Sequence, residues 1–461
     1  MAMVVKNNMP AVNTLNTLNA NESALSKSLQ KVSSGMKINS AGDDASGMAI
    51  SERMRVQVRS LDQDDNNTKN GSALLRTAEG AVQSTIEILK TLKEKAINAA
   101  NDTNTDEDRA VIQKEVDHLI DQIDENALTT YNGKYLIDGS RNGLVVGEGG
   151  GGTRSTYSNM SLATDTDPTT ELVELKRRDG NSLGIHSSDT ITASWTMNGV
   201  TYTGSISPIA DTTIVGMIKI ITASHAGYAG NTSDVGVDEY GRTVYTPNNQ
   251  PALTIRSNDP GVKNQVSGIT FSVTDSHGQL RKEVNAVLDD FREVVRAQNP
   301  SPDNSIVLQT GTKANQAVKV GFTDMRSAAL GLQSADGKGW DRVVPTSSSP
   351  NTAIAVVGTG PKVQVTTKEA ANAAINVFEN ALIKATDQMV AIGAAQNRLA
   401  FTSSNLVTAS ENVQDSESVI RDSDMAKEMT AYTKNNVLTQ SAQAMLAQAN
   451  QNSSAVLSLL Q

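Results

Sequence analysis

The chain of 461 residues is long enough for two to four domains, but only 38% of its residues are hydrophobic and 3% are aromatic, which disfavours one large core. The net charge is −10 without a Lys/Arg-rich block, so binding to nucleic acid is not expected. The absence of cysteine excludes disulfides, thiol catalysis and cysteine metal sites. The sequence has no run of about 18 apolar residues, so no membrane-spanning helix is expected. We also expect no cleaved secretion signal at the N-terminus.

The N-terminal segment is predicted to form a helix over residues 5–33. Apolar side chains recur there at spacings of three and four, as on one face of a helix. Gly35 fits the left-handed position that ends a helix. After a short link, Asp43 or Asp44 is placed to cap the next helix, and this role is favoured over a catalytic one.

Two further helices are predicted before residue 130. The second covers 45–100, and its polar stretch at 62–70 is expected to pack loosely or to face water. The third covers 106–129 and follows a turn of Asn, Asp and Thr residues that can cap it. Its apolar positions suit an antiparallel partner, so we expect a helical hairpin.

The middle of the chain changes from helical to alternating patterns. Residues 147–152 (GEGGGG) are predicted to form a flexible connector. Alternation over 191–202 around Asn198-Gly199 predicts a β-hairpin with a type I′ turn. An amphipathic pattern predicts a helix over 281–298. The middle is therefore expected to be α+β, in one or two small domains.

Helical patterning returns from residue 367 and, after a charged stretch at 415–427, continues to the last residue. The apolar stripe at both chain ends is narrow, as in a seam between partner helices and unlike the face of a globular core. A pair of such helices without further partners would bury little surface, so burial between copies is favoured. The side chains predicted to lie in this subunit–subunit interface are Val4, Leu15, Leu18, Leu25, Leu29, Val32, Leu438, Leu446, Val456 and Leu460.

Specific motifs in both ends resemble bacterial flagellins. The N-terminal motif is KVSSGMKINSAGDDASGMAISERM at Lys31–Met54, and a later helix with IQKEVDHLIDQID, followed by YNGKYLIDGS, is similar to the same family. Toward the C-terminus the matching motifs are QNRLAF at 396–401 and SDMAKEM at 423–429. The resemblance covers roughly 1–140 and 366–461, about half of the chain.

This resemblance implies a mainly α fold with a β-rich (α+β) insert, with long antiparallel helices and a coiled coil formed by the N- and C-terminal segments. An inner coiled-coil domain is implied for 1–44 and 416–461. A helical-bundle domain with a β-hairpin region is implied for 45–175 and 366–415. Residues 176–365 would form the variable, surface-exposed insert.

The family implies a structural subunit that polymerises into the bacterial flagellar filament, the helical propeller for swimming motility. By the same resemblance, the chain is secreted unfolded to the cell exterior through the flagellar type III export apparatus. Its implied partners are other copies of itself in a helical homopolymer, a flagellar export chaperone, the filament cap and the hook-associated proteins. No nucleic acid, membrane, cofactor or metal is expected as a partner.

The resemblance also implies a patch for an innate immune receptor. In flagellins sensed by the flagellin-recognising Toll-like receptor, an exposed patch matches Lys90–Ile97 and Glu115 here. The arginine and leucine of that family patch correspond to Thr91 and Lys95, so two of three anchors differ. Each lost anchor typically weakens an interface by more than about 1 kcal/mol, so the patch of Lys90, Thr91, Lys95 and Glu115 is expected to bind weakly.

No enzymatic activity is expected, because the sequence lacks HExxH, a phosphate-binding Gly-Lys-Ser/Thr loop, and a Gly-x-Ser-x-Gly elbow in a strand-to-helix setting. The four histidines lie far apart, without metal-ligand spacing: His118, His186, His225 and His277. Two alternatives stay open. One is a hook–filament junction (hook-associated) protein with related ends, and the other is a filament-displayed binding, adhesive or enzymatic module in 176–365.

Overall fold

Helices occupy both ends of the chain, and strands occupy its middle. The computed structural model describes residues 8–166, 169–197, 199–207, 209, 213–214, 226–246, 249–334 and 361–458. The helices are α1 (Met9–Ser34), α2 (Ala45–Ala99), α3 (Asp106–Ala127), α4 (Lys282–Leu288), α5 (Ser327–Leu330), α6 (Lys368–Arg421) and α7 (Met425–Ser458). The strands are β1 (Thr130–Tyr131), β2 (Lys134–Tyr135), β3 (Leu144–Val145), β4 (Thr156–Asn159), β5 (Thr190–Met197), β6 (Val200–Ile206), β7 (Ala226–Thr232), β8 (Asp234–Val237), β9 (Thr243–Tyr245), β10 (Ala252–Ser257), β11 (Val266–Thr274), β12 (Phe291–Val295), β13 (Ser301–Pro302), β14 (Ile306–Gln309) and β15 (Ala317–Val320). The expected fold class, helical ends with a β-rich insert, is confirmed.

The chain divides into two units. The first contains Met1–Thr68, Gln309–Gln316 and Phe401–Gln461. The second contains Lys69–Leu308 and Ala317–Ala400. These two units are defined by contacts within the chain, whereas the domain bounds expected from the sequence come from the family resemblance. The expected bounds therefore stay a prediction.

Local capping fixes both ends of α1. The Asn8 side chain accepts a hydrogen bond from the Ala11 N–H at 3.1 Å, and Pro10 occupies the first turn, where its missing N–H costs nothing. At the other end Gly35 adopts a φ of 70° and donates its N–H to the Lys31 carbonyl at 2.9 Å. The predicted helix end is confirmed, whereas residues 5–7 lie outside the described part of the chain.

The two neighbouring aspartates before α2 have different tasks. Asp44 Oδ1 accepts the Gly47 N–H at 2.9 Å and caps the helix, as predicted for one of the pair. Asp43 Oδ2 instead accepts the N–H groups of Asn39 and Ser40 at 3.2 and 3.1 Å and closes the preceding loop. These hydrogen bonds, the Ser40 hydroxyl first, lower the pKa of the Asp43 carboxyl.

The polar stretch of α2, residues 62–70, is only partly buried, and its exposed residues 62, 63, 66, 69 and 70 face water as expected. Asp64 and Thr68 are buried. Asp62 accepts a hydrogen bond from the Ser410 hydroxyl at 3.0 Å, and Asp65 accepts one from Ser403 at 2.5 Å. The carboxylates of α2 thus face hydroxyls of α6 within the first unit, which is why a hydrophilic sequence can pack there.

The second unit has a helical core. Its side chains come from α2, α3, α6 and the segments 136–137, 318–332 and 363–365. The fully buried members include Leu75, Leu89, Leu92, Ile120, Ile123, Leu136, Phe322 and Phe378. Before α3, Thr105 and Asp108 form a reciprocal capping box. The predicted third helix is confirmed, ending two residues earlier than expected.

Residues 147–299, called here the β module, have a separate core in the same unit. Its two larger sheets have the strand orders β12-β4-β10-β7 and β11-β5-β6, and β8 pairs with β9 in a two-stranded sheet. Both larger sheets and α4 contribute side chains to a common core that includes Tyr157, Trp195, Ile255, Phe271 and Leu288. The predicted hairpin is β5–β6, with Trp195 opposite Tyr202 and their rings stacked at 5.7 Å. Asn198 of its turn lies outside the described residues.

The predicted helix over 281–298 is only half right. It stops at Leu288, and Phe291–Val295 is strand β12, which pairs with β4. The side chains of Asn285 and Asp289 accept the N–H groups of Val273 and Phe271 at 2.7 and 2.5 Å. Helix α4 and its C-cap Asp289 therefore supply acceptors along the edge of β11, where no other strand among the described residues pairs.

Residues 147–152 form an ordered turn, not the flexible connector expected. Glu148 donates its N–H to the Gly152 carbonyl at 3.0 Å, and Gly152 donates to Val146 at 3.2 Å. Thr153 N–H then bonds the Gln298 carbonyl at 3.1 Å, while the Thr153 hydroxyl accepts the Gln298 N–H at 2.9 Å. The incoming and outgoing ends of the β module are thereby adjacent.

Candidate subunit interface

Helices α1 and α7 pair in antiparallel orientation within the first unit. Side-chain amides make hydrogen bonds across the pair at three levels: Asn8 Nδ2 to the Ala449 carbonyl at 3.2 Å, Asn21 Nδ2 to the Leu438 carbonyl at 3.4 Å, and Asn435 Nδ2 to Ser28 Oγ at 3.2 Å. Because each bond needs one alignment of the helices, these amides fix the register of the pair.

The interior of this helix pair is thin. Among the side chains that the structure describes in this pair, the buried ones are Leu18, Ser28, Thr439 and Ala442. Two of these four are polar, and one is a methyl group. The pair alone therefore gains little hydrophobic stabilisation.

The structure places the predicted interface leucines in three environments. Leu15, Leu29 and Leu438 are 45, 51 and 41% exposed. Leu18 is buried between the paired helices. The half-buried members of the set are Leu25, Val32 and Leu446. Val4 and Leu460 lie outside the described residues, as does the side chain of Val456 within α7.

The apolar surface of the pair is wider than the predicted stripe. Met9, Val12, Val437 and Met445 are all more exposed than Leu438. One of these residues stands directly beside a predicted interface position in the sequence, since Val437 precedes Leu438. This neighbouring pair was the signal that could have identified the wider surface.

Sequence reasoning missed a buried arginine where α6 ends. Arg421 Nη1 lies 2.6 Å from Glu52 Oε1, and this hydrogen bond is the first cause of the lowered pKa of the Glu52 carboxyl. On either side, Lys37 N–H bonds the Arg421 carbonyl at 2.7 Å and Ser423 N–H bonds Gly35 at 2.9 Å. This clamp joins the link after α1 to the link before α7.

The residues of the predicted innate-receptor-like patch lie on α2 and α3. Lys95 Nζ and Glu115 Oε1 form an ion pair at 2.8 Å between the two helices. Lys90 instead pairs with Glu87 at 2.8 Å, and the Thr91 hydroxyl donates to the Glu87 carbonyl at 3.1 Å. The structure brings Lys95 and Glu115 together, and it directs Lys90 and Thr91 toward Glu87.

The described residues contain no group of three His, Asp or Glu side chains that could hold a metal ion. None of the helices described is long and apolar enough to cross a membrane. His118 is exposed on α3, and His186 Nδ1 lies 2.8 Å from Arg281 Nη2, whereas His225 falls outside the described part.

Paired terminal helices with a register fixed by amides, a thin interior and exposed leucines define a helical subunit that assembles with further copies of itself. Comparisons with known proteins agree with this class. Residues 5–142 match the bacterial flagellin N-terminal helical region, and residues 375–460 match the bacterial flagellin C-terminal helical region.

Whole-chain relatives extend this match across the β module. The chain is 34% identical to a flagellin of Clostridium tyrobutyricum over 97% of this chain and 99% of the relative. It is 32% identical to the B-type flagellin of Pseudomonas aeruginosa and 29% to the flagellin of Bacillus subtilis, with each comparison spanning at least 99% of both chains. The solved structure of FliC from Burkholderia pseudomallei is 18% identical, covers 71% of this chain and 99% of its own, and has a TM-score of 0.25.

The chain belongs to the bacterial flagellin family. It is a structural subunit that polymerises into the flagellar filament, the helical propeller for swimming. Because flagellins match from end to end, the hook–filament junction alternative is not favoured.

Proposed function

We propose that copies of this chain polymerise through the outer faces of α1 and α7, which bury Leu15, Leu29 and Leu438 between subunits. The observation that carries this proposal is the 41–51% exposure of these three leucines on helices whose shared interior is thin. Fully burying one leucine contributes about 1.5–3 kcal/mol, so even a few such contacts repeated along a filament are substantial. The proposed interface also includes the rest of the predicted set, which is Val4, Leu25, Val32, Leu446, Val456 and Leu460, whereas Leu18 packs inside the α1–α7 pair.

Charge substitution tests this interface. Leu29→Asp would place a carboxylate in an apolar seam, which is costly without a partner. The matched control is Tyr245→Asp, because Tyr245 is 56% exposed on the β module, a similar starting exposure. We expect Leu29→Asp to prevent polymerisation of purified subunits and Tyr245→Asp to permit it. Normal filaments from Leu29→Asp would refute the interface.

We further propose that the terminal helices gain most of their order on assembly. The thin interior of the α1–α7 pair supports this, because isolated amphipathic helices without tertiary burial are marginal in water. Circular dichroism of free subunits and of filaments, at matched concentration, measures the change. Equal helicity in the two states would contradict it.

In the proposed domain arrangement, 1–44 and 416–461 form the inner coiled coil of the filament. Residues 45–175 and 366–415 surround it as the helical bundle, and the insert 176–365 faces outward except for 318–332 and 363–365, which pack in the helical core. The α1–α7 pairing supports the inner assignment. A density map of filaments would test it, since α1 should then lie nearest the axis.

Secretion to the cell exterior belongs to the same proposal. The chain passes unfolded through the flagellar type III export apparatus, its last helix is held by an export chaperone, and it is placed under the filament cap beyond the hook-associated proteins. Its role is structural, without an enzymatic activity. The exposed apolar residues of α7, such as Met445, are the surface that a chaperone would cover. Truncating α7 after residue 424 should abolish chaperone binding in a pull-down, and retained binding would refute this role.

We also propose weak binding to the innate receptor through Lys90, Thr91, Lys95 and Glu115. The Lys95–Glu115 ion pair supports this, because it occupies the glutamate that a receptor would otherwise contact. The variant Thr91→Arg/Lys95→Leu restores both family anchors and should raise the response in a reporter-cell assay by at least about tenfold. An unchanged response in that variant would contradict the assignment.

A further inference from the structure

The β module and the helical core of the second unit do not share apolar packing among the residues described. The module core takes its members from between Tyr157 and Phe291, and the helical core takes none from 147–299. At their junction, the backbone of Gly268 on β11 meets Ala373 and Val377 on α6. Hydrogen bonds and ion pairs also hold the module on α6.

These polar contacts form a stripe along α6 with a spacing of four residues, one turn of helix. The contacts are Asn376 Nδ2 to the Ile269 carbonyl at 3.3 Å, Asn380 Nδ2 to Tyr157 Oη at 3.4 Å, and Lys384 Nζ to Glu293 Oε1 at 3.5 Å. Asp387 continues the same face and pairs with Arg296. Each of these groups could be hydrated equally well if the module moved away.

The Lys384–Glu293 pair is the buried member of this stripe. Its side chains are 6 and 7% exposed, and within the described residues neither charged atom has another hydrogen-bond partner. Burial lowers the pKa of the Lys384 ammonium and raises the pKa of the Glu293 carboxyl, so desolvation opposes both charges. A buried pair at 3.5 Å without supporting hydrogen bonds repays little of that desolvation.

Packing around the pair is open. A cavity of about 570 Å³ reaches Lys384, Arg296 and the 323–329 segment, and another of about 530 Å³ reaches Glu293 and Asn380. Beyond the cavities, the chain enters and leaves the module through the short pair of β3 and β13, with Val145 opposite Ser301. This two-stranded connection, called here the β3–β13 neck, is short, so the module can rotate about it.

We propose that the β module is a hinged body that docks on α6 through a polar latch, Lys384–Glu293, and undocks about the β3–β13 neck. Undocking returns both charges to water and exposes little apolar surface. The module would therefore exchange between docked and undocked positions while both cores stay folded. The orientation of the β module relative to α6 would then vary within the folded subunit.

The test measures the distance between module and helix in the full-length monomer. The chain has no cysteine, so Ser205→Cys on β6 and Val390→Cys on α6, both exposed, can carry two spin labels for pulsed electron resonance. We expect a docked distance and a second, broader population. Glu293→Gln leaves Lys384 buried without an opposite charge and should raise the ratio of undocked to docked molecules at least about tenfold.

A second variant keeps the test decisive if Glu293→Gln unfolds the module. Lys384→Met/Glu293→Leu replaces the pair by apolar side chains and should shift the distribution to the docked distance. The control Glu115→Gln breaks the exposed Lys95–Glu115 pair and should leave the distribution unchanged. One narrow distance in the parent and both latch variants overturns the proposal, as does equal broadening in the control.

Discussion

Removal of the β module should leave a subunit that still assembles. We consider a variant in which residues 147–299 are replaced by a short Gly/Ser linker between β3 and β13, which already pair antiparallel. Hairpin loops of about two to five residues suffice for such a connection. The variant retains every residue of the helical core. The face of α6 that it uncovers carries Asn376, Asn380 and Lys384, which water can solvate.

The contrasting deletion, 176–365, should abolish assembly. It removes side chains that lie inside the helical core: Val318, Val320, Phe322, Met325, Leu330, Leu332, Val363 and Val365. At about 1.5–3 kcal/mol each, burial of these side chains contributes roughly 12–24 kcal/mol as an upper estimate. That is more than the net stability of about 5–15 kcal/mol that is typical of a folded protein.

The assay is electron microscopy of filaments and swimming in soft agar, in cells that lack other flagellins. We expect filaments of reduced width from the 147–299 deletion and none from the 176–365 deletion. Immunoblots of the culture medium verify that both variants are secreted. A secreted 147–299 deletion that forms no filaments, or normal filaments from the other variant, would refute the reasoning.

Three further substitutions test local features. Burial raises the pKa of Asp289 to about 7, so its charge destabilises the fold, and parental stability should fall as the pH rises from about 4 to 7. The variant Asp289→Asn keeps an acceptor for the Phe271 N–H and should be about 1–3 kcal/mol more stable than the parent at pH 8 in urea unfolding. This range is reduced because Asp289 is partly exposed. The same dependence of the unfolding free energy on pH in both proteins would contradict this prediction. Arg421→Gln removes the charge from the clamp on Glu52 and should speed proteolysis of the 36–44 link several-fold, whereas an unchanged rate would argue against the clamp. In Gly268→Ala the new Cβ would sit on a backbone with a φ of 62° and lie 2.5 Å from the Ala373 carbonyl oxygen. The melting temperature should therefore fall by several degrees. An unchanged melting temperature would disprove this close approach.

Features set by local sequence could be predicted. Gly35 ends α1 because its left-handed backbone depends on the residue itself. The β5–β6 hairpin follows from strict alternation about a two-residue turn. Asp44 caps α2 through a bond that spans three residues. In each case the partner lies within a few positions along the chain.

Features set by distant partners could not be predicted in the same way. Phe291 and Val295 continue the helical spacing of α4, yet β4, more than a hundred residues earlier, pairs with them as a strand. For the polar run of α2, the exposed positions were predicted, but the hydrogen bonds to Ser403 and Ser410 were not, because these residues lie far along the chain. For the interface, the stripe predicted which leucines lie on α1 and α7, but it did not reveal Arg421.

Polar contacts recur wherever parts of this chain meet outside a closed core. Amides align α1 with α7, Asp62 meets Ser410 between α2 and α6, and Lys384 meets Glu293 below the β module. Such contacts specify geometry, but they add little net stability because water can replace them. Apolar burial is concentrated in the two cores of the second unit, so the contacts outside them can be remade without unfolding either core. A filament subunit needs this division, since it must keep one fold while its terminal helices exchange the contacts of a free chain for those of a polymer.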